Sequence, residues 1–296
     1  MRMKTNPTSS RLSLLAAIGL ATSVPAWATY MNITDCPYCQ TFDTLAKTGT
    51  ATWQNDMSGA TGWFIQSTGS ISGGGSGLTY TADAGSTSAV GVYSYGSSGS
   101  STDRAVGAIT GGTGATSIAF GNLVYNNTGN TVTSLTITYN GEQWRSANTS
   151  AQSLQFSYAV AAGLSGKFYD VDGVGAKAYL SPGIVSGSDA TGDNKGLTWN
   201  AVSAGNFNAP NLTGSGAIAG GASTAINITL TGLNIPSGSA IMLRWLDVSG
   251  QTDGLGIDNV CVSVPVPEPS TYAAAAAVVL MAGQAAWRRR KVAAKK

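Results

Sequence analysis

Leu135-Thr136-Ile137-Thr138-Tyr139 and Leu154-Gln155-Phe156-Ser157-Tyr158-Ala159-Val160 decide the fold. In both, large apolar residues alternate with small or polar ones. A period of two, carried by β-branched and aromatic side chains, is the pattern of antiparallel strands with one buried face. Between them lies Tyr139-Asn140-Gly141-Glu142-Gln143-Trp144-Arg145. Its Asn-Gly pair favours a turn or bulge, with Glu142 and Arg145 near enough to pair around Trp144.

Working outward, strand-sized runs recur on both sides. Upstream they occur around Phe42, at Gly62–Ile65, Leu78–Thr81 and Val90–Tyr95, and from Ile118 through Tyr125. Downstream they occur at Leu197–Val202, Ile226–Leu230, Ile241–Asp247 and Leu255–Val264. Gly/Ser-rich loops (67–77 and 96–102) separate them, Val248–Gly254 reads as a polar turn, and no internal repeat is visible. Lys and Glu are scarce, so helices have little support. The expectation is an all-β, antiparallel sandwich over residues 29–263.

Net charge narrows the function. The whole chain carries +2, but residues 29–267 hold seven basic and thirteen acidic side chains, a net of −6. An acidic body argues against nucleic acid as a partner. The chain has no His, which removes Ser-His-Asp and Cys-His nucleophile systems and His metal ligands. Glu142 is the body's single Glu, so a two-carboxylate hydrolase site would have to draw on Asp.

Both ends read as export features. Arg2, Lys4 and Arg11 precede an apolar run, Leu12 to Val24, and Ala26-Trp27-Ala28 fits a signal-peptidase site. Residues 1–28 are therefore expected to be a signal peptide handled by the secretion machinery. At the other end, Pro265, Pro267 and Pro269 alternate in an extended spacer (264–271). Sixteen uncharged residues (272–287) follow, able as a helix to span about 24 Å of membrane. The basic segment 288–296, with Arg288, Arg289, Arg290 and Lys291, is expected to stay cytoplasmic.

The order Pro267-Glu268-Pro269-Ser270, short apolar helix and terminal Arg run resembles the PEP-CTERM sorting signal. The resemblance implies a Gram-negative host that makes exopolysaccharide and forms biofilm. It also implies recognition and cleavage of the tail by an exosortase-type protease, with the inner membrane as a transient anchor before transfer to the cell surface or matrix.

Cys36-Pro37-Tyr38-Cys39 resembles the redox pair of thioredoxins and glutaredoxins, but such a pair needs a strand before it and a helix after it. The reading favoured for an exported chain is a disulfide, Cys39–Cys261, with Cys36–Cys39 as the alternative. Asp103-Arg104 reads as a loop-fixing ion pair, and Asp170-Val171-Asp172-Gly173 as a turn.

A longer resemblance runs through Gly141–Arg145, Leu154–Val160, Leu243–Asp247 and Asp253–Val260. It is similar to bodies found on PEP-CTERM proteins and to the last strand of MAM-like and concanavalin-like jelly rolls. It implies a jelly roll with neighbouring first and last strands, a fold often used to bind carbohydrate. Arg244, Trp245, Asp247, Asp253 and Asp258 form either an Arg–Asp network or a Ca²⁺ or sugar site, with Asp247, Asp253 and Asp258 as the Ca²⁺ candidates. No other cofactor is expected. Trp144, flanked by Glu142 and Arg145, is the residue chosen as ligand-facing; of Trp53, Trp63, Trp199 and Trp245, which could also stack on sugar rings, most read as core.

Three functions follow. The favoured one is a non-enzymatic surface or matrix protein associated with exopolysaccharide. The others are a polysaccharide hydrolase using Asp carboxylates and a thiol oxidoreductase using Cys36 and Cys39.

Overall fold

The computed structural model describes residues 30–69, 78–97, 101–111, 116–147, 151–163, 168–171, 176–188, 197–211, 213–264, and 280, 281 and 284. Ala26, Ala28, Pro267, Glu268, Pro269, Ser270, Arg288, Arg289, Arg290 and Lys291 fall outside them, as do Asp172 and Gly173. The described part is an all-β sandwich of two eight-stranded sheets.

In the first sheet the strands Met31–Asn32, Ile118–Tyr125, Ser239–Asp247, Ser153–Ala162, Thr198–Ala201 and Gly187–Ser188 lie in that order. Trp63–Ser67 also pairs with Ile118–Tyr125, and Phe207–Asn208 with Ser153–Ala162. The second sheet runs Ser215–Leu230, Leu135–Ala147, Gly254–Ser263, Ala105–Ile109, Gly91–Tyr95, Leu78–Asp83 and Thr50–Trp53. Tyr38–Gln40 pairs with Gly254–Ser263, so early and last strands are neighbours.

Period two builds the core. Leu135, Ile137 and Tyr139 face inward from one sheet, and Leu154, Phe156 and Trp245 from the other. Trp245 stacks on Trp63 with centroids 5.5 Å apart, edge-on to Tyr139 and Phe156. Trp53, Trp63, Trp199 and Trp245 are all buried. A second apolar cluster, with Phe64, Phe168, Leu180 and Trp199, covers the outer face of the first sheet.

Several expectations need correction. The sandwich is not wholly antiparallel: Met31–Asn32 pairs parallel to Ile118–Tyr125, and Leu78–Asp83 parallel to Gly91–Tyr95. Asn140-Gly141 is no turn but the middle of the thirteen-residue strand Leu135–Ala147. Gly141 is needed there because a Cβ would collide with the Phe207 ring. One irregularity lies in the partner strand, between Asp258 and Cys261, where Asn259 takes φ +51°, and a second at Gly254/Leu255 leaves Trp144 as the extra residue of Leu135–Ala147. Ala105–Ile109 is a strand the sequence did not announce. Beside it Arg104 is buried and donates Nε to Ser94 Oγ at 2.9 Å and Nη2 to the Ser94 carbonyl.

Cys39 and Cys261 form the disulfide, across directly paired positions, and Cys36 lies outside it after a 3₁₀ turn, Ile33–Asp35. Cys39 sits in a strand, Tyr38–Gln40, so the strand-then-helix context of a thiol oxidoreductase is not met. Leu280, Met281 and Gln284 are helical and exposed. Among the described residues no helix is long and apolar enough to cross a membrane.

Candidate functional site

Leu78–Asp83 and Gly91–Tyr95 are parallel, so residues 84–90 must return along the sheet. They do so over its outer face, as a strap. Asp83 holds its start: the carboxylate accepts from the backbone N–H groups of Ala84 (2.8 Å), Ser86 (3.2 Å) and Thr87 (3.0 Å) and from Ser86 Oγ (2.7 Å). Burial pushes this carboxyl up, but the hydrogen bonds from Ser86, Thr87 and Ala84 outweigh it and leave it below its ordinary range. Tyr93 donates its hydroxyl to the Ala89 carbonyl at 2.6 Å. Gly85, at φ +85°, lies so close to the Trp144 carbonyl that a Cβ would collide with it.

Beneath the strap runs an aromatic ladder. Tyr93 and Tyr95 stack at 5.3 Å, and Tyr95 and Trp144 at 6.0 Å with rings 7° apart. All three are nearly fully buried. Opposite Trp144 the register of Ser215–Leu230 slips between Ala217 and Ala222, and Gly221 lies against the indole. Trp144, chosen from the sequence as ligand-facing, is therefore covered on both sides. Its Nε1 donates to Glu142 Oε2 at 2.7 Å. Arg145 does not turn to Glu142: its Nη1 reaches the Gly85 and Ser86 carbonyls at 3.3 and 3.2 Å.

Asp258 stands opposite Asn140, and Gly256 opposite Glu142. Glu142 and Asp258 are thus diagonal neighbours on one face, a placement that sets backbones about 7–8 Å apart. Burial lifts both carboxyls, Asp258 to about 8 with help from the charges of Glu142, Asp103 and Asp43. Asp258 Oδ1 is buried without a hydrogen-bond partner, while Oδ2 accepts from Asn259 Nδ2 at 2.6 Å.

The three Ca²⁺ candidates do not converge: among the described residues no group of three or more acidic or sulfur side chains could hold a metal. Asp253 has both oxygens occupied, by Ala147 N–H (2.7 Å) and Gln143 Nε2 (2.9 Å). Asp247 is buried at the far end of its strand, its carboxyl raised well above the usual range by burial. Nor, among the described residues, does Arg244 join these Asp residues in a network. Arg244 faces the other way, over the Trp199 ring at 4.0 Å, and donates to the Leu180 (2.8 Å), Ser181 (3.0 Å) and Val185 (2.7 Å) carbonyls. Burial lowers it to about 9.

Two surface clefts flank the strap. One, about 240 Å³, is lined by Thr79, Thr81, Thr87, Val90 and Tyr93 and carries no charge. The other, about 290 Å³, has Lys47, Asp83 and Arg104 in its wall. The sequence reading missed the strap and the ladder. Tyr93 and Tyr95 alternating with Val92 and Ser94 was the available signal, but it does not say which face the tyrosines take.

Residues 265–291 match the PEP-CTERM protein-sorting motif. No curated protein matches the sequence. Among solved structures, the chain is similar to a family 11 carbohydrate-binding module from Clostridium thermocellum, in complex with a mixed-linked tetrasaccharide. Identity is 10%, 74% of this chain and 98% of that one are covered, and the TM-score is 0.32. It is also similar to the K1 cleaved adhesin domain of Lys-gingipain from Porphyromonas gingivalis (13% identity, 77% and 98% covered, TM-score 0.29). A third likeness is to the enzymatically active domain of tailspike protein 4 of bacteriophage CBA120 (10% identity, TM-score 0.30). There 71% of this chain spans only 21% of the tailspike chain.

Proposed function

We propose that this chain is an exported, non-enzymatic protein of the surface or extracellular matrix of a Gram-negative bacterium. A signal peptidase removes residues 1–28. An exosortase cuts the tail near Pro267-Glu268-Pro269 while the 272–287 helix holds the chain in the inner membrane. The released jelly-roll body associates with exopolysaccharide in the biofilm.

The observation that carries this reading is the sorting motif at 265–291, beginning two residues after the last strand, Gly254–Ser263. A cut there leaves every described strand intact. The Cys39–Cys261 disulfide supports an oxidising compartment. The threonine-lined, uncharged cleft beside Tyr93 suits a neutral, hydroxyl-rich ligand better than an ion.

A polysaccharide hydrolase is the second reading, and the placement of two carboxyl residues, Glu142 and Asp258, as diagonal neighbours on one sheet face favours it, since glycosidic hydrolysis uses a carboxyl pair. Both side chains are nearly buried, at 9% and 1% exposure, so substrate would reach them only if the surrounding segments opened.

The test replaces Pro267, Glu268 and Pro269 by Ala in the native host and follows intact mass and localisation. The wild type should end near the triplet and reach the surface, while the variant keeps its tail in the inner membrane. A tail retained by both would overturn the sorting assignment.

A further inference from the structure

Thr110 follows the strand Ala105–Ile109, and Asp247 ends the strand Ser239–Asp247; the turn after Asp247 brings two carbonyls back to the same place. Thr110 Oγ1 lies 3.0 Å from Asp247 Oδ1, 2.6 Å from the Val248 carbonyl and 3.3 Å from the Gln251 carbonyl. A hydroxyl has one proton to give. Four oxygens thus converge; the Gln251 carbonyl also accepts from the Thr110 backbone N–H at 3.1 Å, and the one hydroxyl proton is left to Asp247 Oδ1 and the Val248 carbonyl. The other Asp247 oxygen, Oδ2, is buried with no hydrogen-bond partner, in a side chain that is 0% exposed. None of the cationic side chains among the described residues bonds this carboxylate.

The surrounding turn is built to hold that geometry. Gln251 makes a reciprocal pair with the Ser153 backbone, Nε2 to O at 2.9 Å and N–H to Oε1 at 2.6 Å. Gln152 Oε1 accepts from Asp253 N–H at 2.7 Å, and Ser117 Oγ from Ser249 N–H at 2.9 Å. Gly111 lets the Gln251 carbonyl approach: a Cβ there would stand 2.8 Å from it.

We propose that Thr110 Oγ1, Asp247 and the carbonyls of Val248 and Gln251 form a binding site for a hard divalent cation of the Ca²⁺ class, tying the rims of the two sheets together. Carboxylate, hydroxyl and backbone carbonyl are the oxygen donors such an ion takes. A cation brings these oxygens into coordination and favours the ionised form of a carboxyl whose charge burial otherwise disfavours. The inference does not depend on the sorting reading. It keeps Asp247 from the sequence candidates and replaces Asp253, whose two oxygens are occupied, and Asp258, which does not converge with Asp247, with Thr110 and two main-chain oxygens.

The test uses the full chain, stripped with EDTA and titrated with CaCl₂, reading bound calcium per chain and the unfolding midpoint. The wild type should take up one ion and gain thermal stability. Asp247→Asn should lose both responses, Thr110→Val should bind roughly tenfold more weakly, and Asp103→Asn, in the separate acidic group, should bind as the wild type does. If Asp247→Asn fails to fold, the wild-type stoichiometry and Thr110→Val decide. A wild type that binds no calcium and keeps its midpoint in excess CaCl₂, or a folded Asp247→Asn that binds equally well, overturns the site.

Discussion

Asp258 keeps its proton to about pH 8 because burial, then the neighbouring charges of Glu142, Asp103 and Asp43, disfavour its carboxylate. The unfolded chain releases that proton near the ordinary value of about 4. Its contribution to stability is therefore complete at pH 4 and is lost as pH rises toward 8, with a slope of up to about 1.4 kcal/mol per unit. Asp258→Asn should flatten the pH dependence of the denaturation midpoint across this window; an unchanged slope would show that other groups carry it. Gly85 makes a different demand. Its φ of +85° and its contact with the Trp144 carbonyl leave no room for a side chain. Gly85→Ala should cost on the order of 1–3 kcal/mol from the backbone alone. Trp fluorescence should shift as the strap lifts from Trp144; a variant with unaltered midpoint and emission would mean the strap adjusts freely.

The strands richest in β-branched and aromatic residues were legible as elements, because alternation states directly that one face is buried. Ser215–Ala225 was not. It is built of Gly, Ala, Ser, one Ile and one Thr at the edge of a sheet, and pairing with Leu135–Ala147 rather than its own composition makes it a strand. Asn140-Gly141 misled for the converse reason: the pair is a local turn signal, overridden by the Phe207 ring seated where a side chain would stand. At this scale the Cys39–Cys261 bridge joins Tyr38–Gln40 to Gly254–Ser263 across 222 residues. Cys261→Ser, or reduction, should lower stability by about 2–5 kcal/mol. Equilibrium denaturation with and without dithiothreitol measures this, and coincident curves for oxidised and reduced protein would show that the hydrogen-bonded pairing alone holds the edge.

For the whole molecule, the division between what was and was not legible follows how each feature is specified. A sorting tail is read as a contiguous string, so residues 265–291 could be recognised without the fold. The oxygen cluster joins Thr110 to Asp247, 137 residues apart, and no local pattern marks Thr110 as its partner. Similarly, Trp144 drew notice for its polar flanks, yet the strap and the slipped edge strand bury it. The tail is also separable from the body. Val262 is the last fully buried core residue and Val264 packs on the core's edge. A chain ending at Val264 should therefore unfold at the same midpoint as the full-length protein. A large fall in that midpoint would make the tail part of the body's packing.

Gly254–Ser263 lies in the middle of the second sheet, between Leu135–Ala147 and Ala105–Ile109. Until it arrives, that sheet is two separate fragments with raw edges facing each other, and Cys39 lacks its mate. In chain order the keystone comes last, just before the sorting motif at 265–291. The strand that closes the sandwich and the tail that follows it are therefore delivered together. The sorting motif is thus complete only once the strand that locks the body is present as well.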